Sequence, residues 1–251
     1  MNRMSNESGK RDRMKGTILS LVAAAGFLWF GVGSALATTT VTLTLTGAGP
    51  DQYGRVYTGP YTLSVGGTST QLMCDDFKDE IQNGDSWSAT AVQPGVSGFN
   101  NLLFSGGSFY NGADTTQAYE EMFWLAQQMM TQTQLGHSNA VSAISYAIWS
   151  ITDPTGSVGG TSLYDVSTGG KAGDQTSNWL TWAAKDYANV EPILNDFTVY
   201  VPESKTSISG GNPQEFIGYN PVPIPASALL LAPGLIGLVG FRKRVFSRNN
   251  G

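Results

Sequence analysis

The side chains able to do chemistry are few in this 251-residue sequence, and their spacing limits what they can do. There is one thiol, Cys74, in the segment Leu72-Met73-Cys74-Asp75-Asp76-Phe77. An ionised thiol is a nucleophile and a soft metal ligand, whereas in apolar surroundings it packs as a small hydrophobe, which is the plain reading here. The acids Asp75, Asp76, Asp79 and Glu80 adjoin it. Carboxylates can gather Ca²⁺, but the alternating aspartates, turn glycine and closing glutamate of a calcium loop are absent. The run reads as a solvated face between strand and loop. His137 is the one histidine, and a zinc site of the usual kind needs three or four His/Cys ligands. A Ser-His-Asp triad would also need it, yet no Gly-x-Ser-x-Gly elbow occurs in the body, so His137 reads as part of a linker. Glu120 and Glu121 are adjacent on a predicted helix and point about 100° apart. They cannot flank one glycosidic bond and are expected on the outer face. Trp124, Trp149, Trp179 and Trp182 could stack on sugars, but at helical spacing aromatic rings chiefly pack a core. These residues lead to no catalytic, cofactor-binding or metal-binding assignment, and Cys74 stays as the candidate reactive thiol.

The elements that would position them follow from periodicity. Residues 39–47 alternate Val41, Leu43 and Leu45 with threonines, a half-buried strand. Two short strands separated at Gly59-Pro60, a turn at Gly66-Gly67, a strand through Cys74 and another over 86–92 complete an antiparallel unit of four or five strands. Residues 93–113 read as loop. Asp114 caps a helix that runs to about Thr131, with Gln117 placed for a capping box. Leu135-Gly136 ends it. Ser138 or Asn139 opens a second helix, stopped by Asp153-Pro154, and the two form an αα-hairpin. A glycine-rich loop over 155–175 leads to a third helix over 177–189. Return strands over 197–201 and 214–219 are expected to complete the early sheet. The expected fold is α+β: an antiparallel sheet, sandwich-like, with a helical insertion of about three helices.

The two ends read differently from this body. Arg3, Lys10, Arg11, Arg13 and Lys15 precede an apolar stretch over 16–32 and then Ala35-Leu36-Ala37. That is the layout of a signal peptide over 1–37, with Ala35 and Ala37 at the peptidase site. At the other end, residues 226–241 carry no charge. As one helix they span roughly 24 Å against a hydrocarbon core of about 30 Å. Pro233, Gly234, Gly237 and Gly240 interrupt them, and Arg242, Lys243 and Arg244 follow as a stop that stays cytoplasmic. The expected organisation is a signal peptide over 1–37, an extracytoplasmic domain over 38–220 and a sorting tail with one transmembrane helix over 221–251. Removing the ends leaves Arg55, Lys78, Lys171, Lys185 and Lys205 against seventeen acids, a net charge of about −12. Phosphate backbones repel so acidic a body, which excludes nucleic acid as a partner. With a single cysteine no internal disulfide can form, so the core must hold the fold.

Two resemblances add to this. Val222-Pro223-Ile224-Pro225-Ala226, then Gly234-Leu235-Ile236-Gly237-Leu238, then Arg242-Lys243-Arg244 resemble in order the parts of a PEP-CTERM sorting domain of the VPLPA-type variant. Ile224 stands where the family name has glutamate. The body segments Gly59-Pro60-Tyr61, Cys74-Asp75-Asp76-Phe77, Ala147-Ile148-Trp149 and Gln214-Glu215-Phe216-Ile217 are similar to those common in PEP-CTERM proteins. The resemblance implies an exosortase as processing partner, a passing attachment to the membrane through the tail, and delivery to the cell surface or an exopolysaccharide matrix. It implies no catalytic residue. Residues 70–153 also resemble the thioester domains of bacterial surface adhesins. There a cysteine joins covalently to a glutamine in a Thr-Gln-X-Ala-Ile-Trp-like helix and traps host amines. Ala147-Ile148-Trp149 matches the end of that motif, but Ile144-Ser145 replaces Thr-Gln, and serine has no carboxamide to lose. Gln117, in Thr116-Gln117-Ala118, lies on the other helix. The leading expectation is therefore a non-enzymatic exported surface or matrix protein, with a thioester-type adhesin using Cys74 or a secreted carbohydrate-binding protein as alternatives.

Overall fold

The structure is a computed structural model that describes residues 39–49, 51–170, 174–204, 208 and 211–220. The expected signal-peptidase site at Ala35 and Ala37 and the expected sorting tail over 221–251 lie outside the described residues. Among the described residues no helix is long and apolar enough to cross a membrane.

The body is α+β. In chain order it contains β1 (Thr39–Gly47), β2 (Asp51–Tyr53), β3 (Val56–Thr58), β4 (Tyr61–Val65), β5 (Thr68–Cys74) and β6 (Ser86–Val92). Then come α1 (Pro94–Ser97), α2 (Thr115–Gln134), α3 (Ser138–Thr152), β7 (Ser157–Val158), β8 (Thr161–Ser162), α4 (Thr176–Asp186), β9 (Phe197–Pro202) and β10 (Phe216–Tyr219). Six strands close into an antiparallel barrel in the order β1-β4-β5-β10-β9-β6. This corrects the sandwich-like expectation. The late strands do complete the early sheet, but β10 pairs with both β5 and β9, and β9 pairs on to β6, so no free edge remains to form a second sheet. Four early strands lie in the barrel, while β2 and β3 form their own hairpin beside it.

Sequence fixes most local choices. Gly66 and Gly67 take φ of 55° and 92°, the two left-handed positions that a tight hairpin between β4 and β5 requires. Asp114 caps α2 by accepting from the Gln117 amide at 2.9 Å. The reciprocal half of a capping box does not form, because the Gln117 side chain donates to Glu121 Oε1 at 2.8 Å instead. α2 continues three residues past the expected end, to Gln134. The helical part holds four α-helices rather than three among the described residues: α1 is one turn started by Pro94 in a stretch read as loop. The third expected helix ends early as α4 and continues as a 3₁₀ segment, Tyr187–Asp196, that contains Pro192.

Strand alternation separates a barrel core from a helix-side core, and Tyr146, Trp149, Val158, Leu163 and Val166 form a third cluster. Leu43, Leu45, Leu63, Leu72, Cys74, Trp87, Ala89, Tyr200 and Phe216 fill the barrel. The opposite faces of β5, β10 and β9 present Met73, Ile217, Val199 and Phe197 to the helices. Phe123 of α2 stacks on Phe197 at 4.6 Å between centroids. The remaining outer face, on β1, carries exposed or half-buried threonines, which is why β1 alternates and β9 does not.

Candidate functional site at the barrel mouth

The candidate site lies where β5 and β10 end together at one mouth of the barrel. Their ladder pairs Ile217 with Met73 and Phe216 with Cys74. Continued by two residues, that register sets Glu215 opposite Asp75 and Gln214 opposite Asp76. The pleat sends alternate side chains to opposite faces. Cys74, Asp76 and Gln214 thus belong to the face toward the barrel, and Asp75 and Glu215 to the face toward the helices.

Three successive carbonyls of this strand end are held by side chains. The Trp149 indole of α3 donates to the Cys74 carbonyl at 3.0 Å. The Thr152 hydroxyl, one turn later, donates to the Asp75 carbonyl at 2.7 Å. The Asp76 carbonyl accepts from two groups, the Cys74 thiol at 3.2 Å and Gln214 Nε2 at 2.9 Å. Gln214 Nε2 also donates to the Asp79 carbonyl. The thiol and the carboxamide therefore converge on one oxygen, with 4% and 8% of their residues' surface exposed. Burial pushes the Cys74 thiol up, and the charges of Asp76 and Asp75 add to this, so it is held as the protonated thiol. A cleft of about 650 Å³ opens over this point, with Gln214, Asp76, Trp149, Phe77, Tyr61 and Tyr57 in its wall.

The acidic run is a solvated face only at its far end: Glu80 is exposed and Asp79 half-buried, but for the two acids next to Cys74 the sequence reading is corrected. Asp75 and Asp76 are buried. Asp76 Oδ1 accepts from the Lys78 and Asp79 amides at 3.1 and 3.3 Å, a closed local turn. Burial, then the Asp79 charge, pushes the Asp76 carboxyl up to about 7. Asp79 Oδ1 is taken by Asn212 Nδ2 at 2.9 Å. Among the described residues no three His, Cys, Asp or Glu side chains come together to hold a metal ion.

The other sequence candidates lie apart from this point. Ser145, at the position of the adhesin helix glutamine, accepts from the Gly59 amide at 2.8 Å and donates to the Val141 carbonyl at 3.2 Å. Gln117 is engaged with Glu121. Glu121 is buried, not on the outer face, because α2 is covered on that side as well. His137 is exposed between α2 and α3, its Nδ1 at 2.7 Å from Gln132 Oε1. Trp124, Trp179 and Trp182 do cluster, but Trp182 meets Trp179 edge-on at 88°, and Trp149 belongs to the barrel mouth. Gln214 is the residue beside Cys74 that sequence reasoning did not single out. Its segment, Gln214-Glu215-Phe216-Ile217, is visible as a last strand; an acid-amide pair leading an apolar strand is the signal that could have marked it.

No protein-family model matches the sequence, and no curated protein matches it. Among solved structures the chain is similar to the N-terminal thioester domain of a protein F2-like fibronectin-binding protein from Streptococcus pneumoniae. The TM-score is 0.41 and the identity 14%, over 73% of this chain and 93% of that one.

Proposed function

We propose that this chain is an exported surface protein whose body carries an internal thioester between Cys74 and Gln214, and that it attaches itself covalently to an external nucleophile. The observation that carries this reading is the shared Asp76 carbonyl: thiol and carboxamide, both buried, donate to the same oxygen at 3.2 and 2.9 Å. Such proximity replaces a bimolecular encounter by an intramolecular one. The thiol sulfur attacks Gln214 Cδ, the Cδ–Nε2 bond breaks, and the thiol proton leaves with the amide nitrogen as ammonia. Asp76, in the cleft wall with its carboxyl pushed up to about 7, is a group able to relay that proton. In the second step an amine entering the cleft attacks the same Cδ. It forms an amide and returns the proton and the electron pair to sulfur as the free thiol. Each molecule reacts once, so the protein is an attachment device and not a turnover catalyst. Gln214 takes the part that neither Ser145 nor Gln117 can play.

Mass spectrometry of the full chain purified in detergent tests this. The expected parent mass is lower than the sequence mass by one ammonia. Methylamine adds at Gln214 and frees Cys74 for alkylation, while Cys74→Ala and Gln214→Ala show neither change. A parent chain with its full sequence mass, inert to methylamine, would sink the thioester.

A further inference from the structure

On the helix side of the same strand ends lies a second pair that the thioester chemistry does not use. Asp75 and Glu215 each have 0% of their surface exposed. Glu215 Oε1 accepts from the Tyr119 hydroxyl of α2 at 2.5 Å, and Oε2 from the Leu103 amide at 2.7 Å. Among the described residues neither Asp75 oxygen meets a donor of ordinary geometry. The group within its reach is the Glu215 carboxyl, which the strand register places opposite it. Two carboxylates cannot be buried in contact with both charges unpaired. Since Glu215 already accepts two donors, it suits the charged form, and the bond that would satisfy Asp75 is its own proton donated to Glu215. The titratable group facing the pair is Tyr119 from α2, while Cys74 of β5 and Asp76 just beyond it act on the pair from the opposite face of the strand.

This bond sits one residue beyond the last backbone pair of β5 and β10. It falls between the level of Cys74 and the level of Gln214, on the other face of the same two strands. We propose that Asp75 and Glu215 are positioning residues: their shared proton clamps the ends of β5 and β10 so that Cys74 and Gln214 are held within reach of each other. The inference rests on the thioester reading for its purpose, but the clamp itself is measurable without it.

Two measurements separate the two ideas. The first is the rate at which Cys74 is alkylated by iodoacetamide in full-length Gln214→Ala, where no thioester can form. Adding Asp75→Ala is expected to raise that rate by about tenfold, the scale of one lost buried hydrogen bond. Asp75→Asn, whose amide can still donate to Glu215, is expected to stay within about twofold of the Gln214→Ala background. Leu180→Ala, a core change on α4 away from the strand ends, serves as the control for general destabilisation. Equal rates with and without Asp75→Ala overturn the clamp, as does an equal rise in Leu180→Ala. The second measurement is ammonia loss with Gln214 intact. Asp75→Ala is expected to slow it and Asp75→Asn to restore it; loss as fast and complete in Asp75→Ala as in the parent overturns the clamp and leaves the thioester standing. A parent that never loses ammonia, together with alkylation that Asp75→Ala accelerates, supports the clamp and removes the thioester alone.

Discussion

At the scale of single residues, the barrel mouth concentrates carboxyls that burial pushes up, with Asp75 and Asp76 as the proton holders and Glu215 as the acceptor. Burial is the first cause of the raised carboxyls of Asp75, Asp76 and Glu215, and neighbouring negative charge adds to it for Asp75 and Asp76. In the unfolded chain these groups ionise in the ordinary carboxylate range. The stability contributed by the protons of Asp75 and Asp76 is present in full below that range and is lost as pH rises through the folded values. For Asp76 the window runs from 3.8 to about 7. The fold is thus expected to be less stable at pH 8 than at pH 5, by about 2–3 kcal/mol from Asp76 alone. Urea unfolding at the two pH values measures the difference, and Asp76→Asn should remove that share of it. A stability that rises between pH 5 and pH 8 would show that these carboxyls are ionised in the fold.

Among the elements, α3 is the piece that ties the helices to the site. Its residues from Ala140 to Ile151 are all buried, as expected of a helix with no solvent face. Small hydroxyls on it reach the chain around β3: Ser142 bonds Thr58 at 2.7 Å, and Ser145 accepts from the buried Gly59 amide. The last turn then supplies Trp149 and Thr152 to the end of β5. Position 145 therefore has a structural part in this chain. Ser145→Ala leaves the Gly59 amide without an acceptor and is expected to cost about 1–3 kcal/mol in urea unfolding. If the site reading holds, it should leave ammonia loss unchanged; loss abolished in folded Ser145→Ala would place the reactive partner on α3 instead.

At the scale of the whole molecule, the proposal joins an acidic body to two basic ends. Nine of the 14 lysines and arginines lie in the ends, and the body keeps five against seventeen acids. A strongly like-charged body resists self-association, which suits a protein spread over a surface. The sorting reading has its own outcome. Expressed with an internal tag in cells that have or lack a functional exosortase, the chain is expected to leave the membrane fraction only where the enzyme is present. A tail retained in the membrane in both strains would count against that reading while leaving the chemistry at Cys74 open to its own test.

What the sequence determined by itself is local. Alternating threonines set β1, Gly66-Gly67 set the hairpin, Asp114 began α2 and Asp153-Pro154 ended α3, because each depends on neighbours a few residues away. The targeting reading proposed for the ends rests on features that are equally local, charge and apolar length. Only the tertiary structure decided that the sheet closes, that Asp75, Asp76 and Glu121 are buried, and that the carboxamide beside Cys74 is Gln214. Asp76 and Gln214 are 138 residues apart and meet through the register between β5 and β10. A shift of one residue in that register would turn Gln214 to the helix face. No periodicity within either strand carries that information, since it is fixed by how two distant strands and the helices over them pack together.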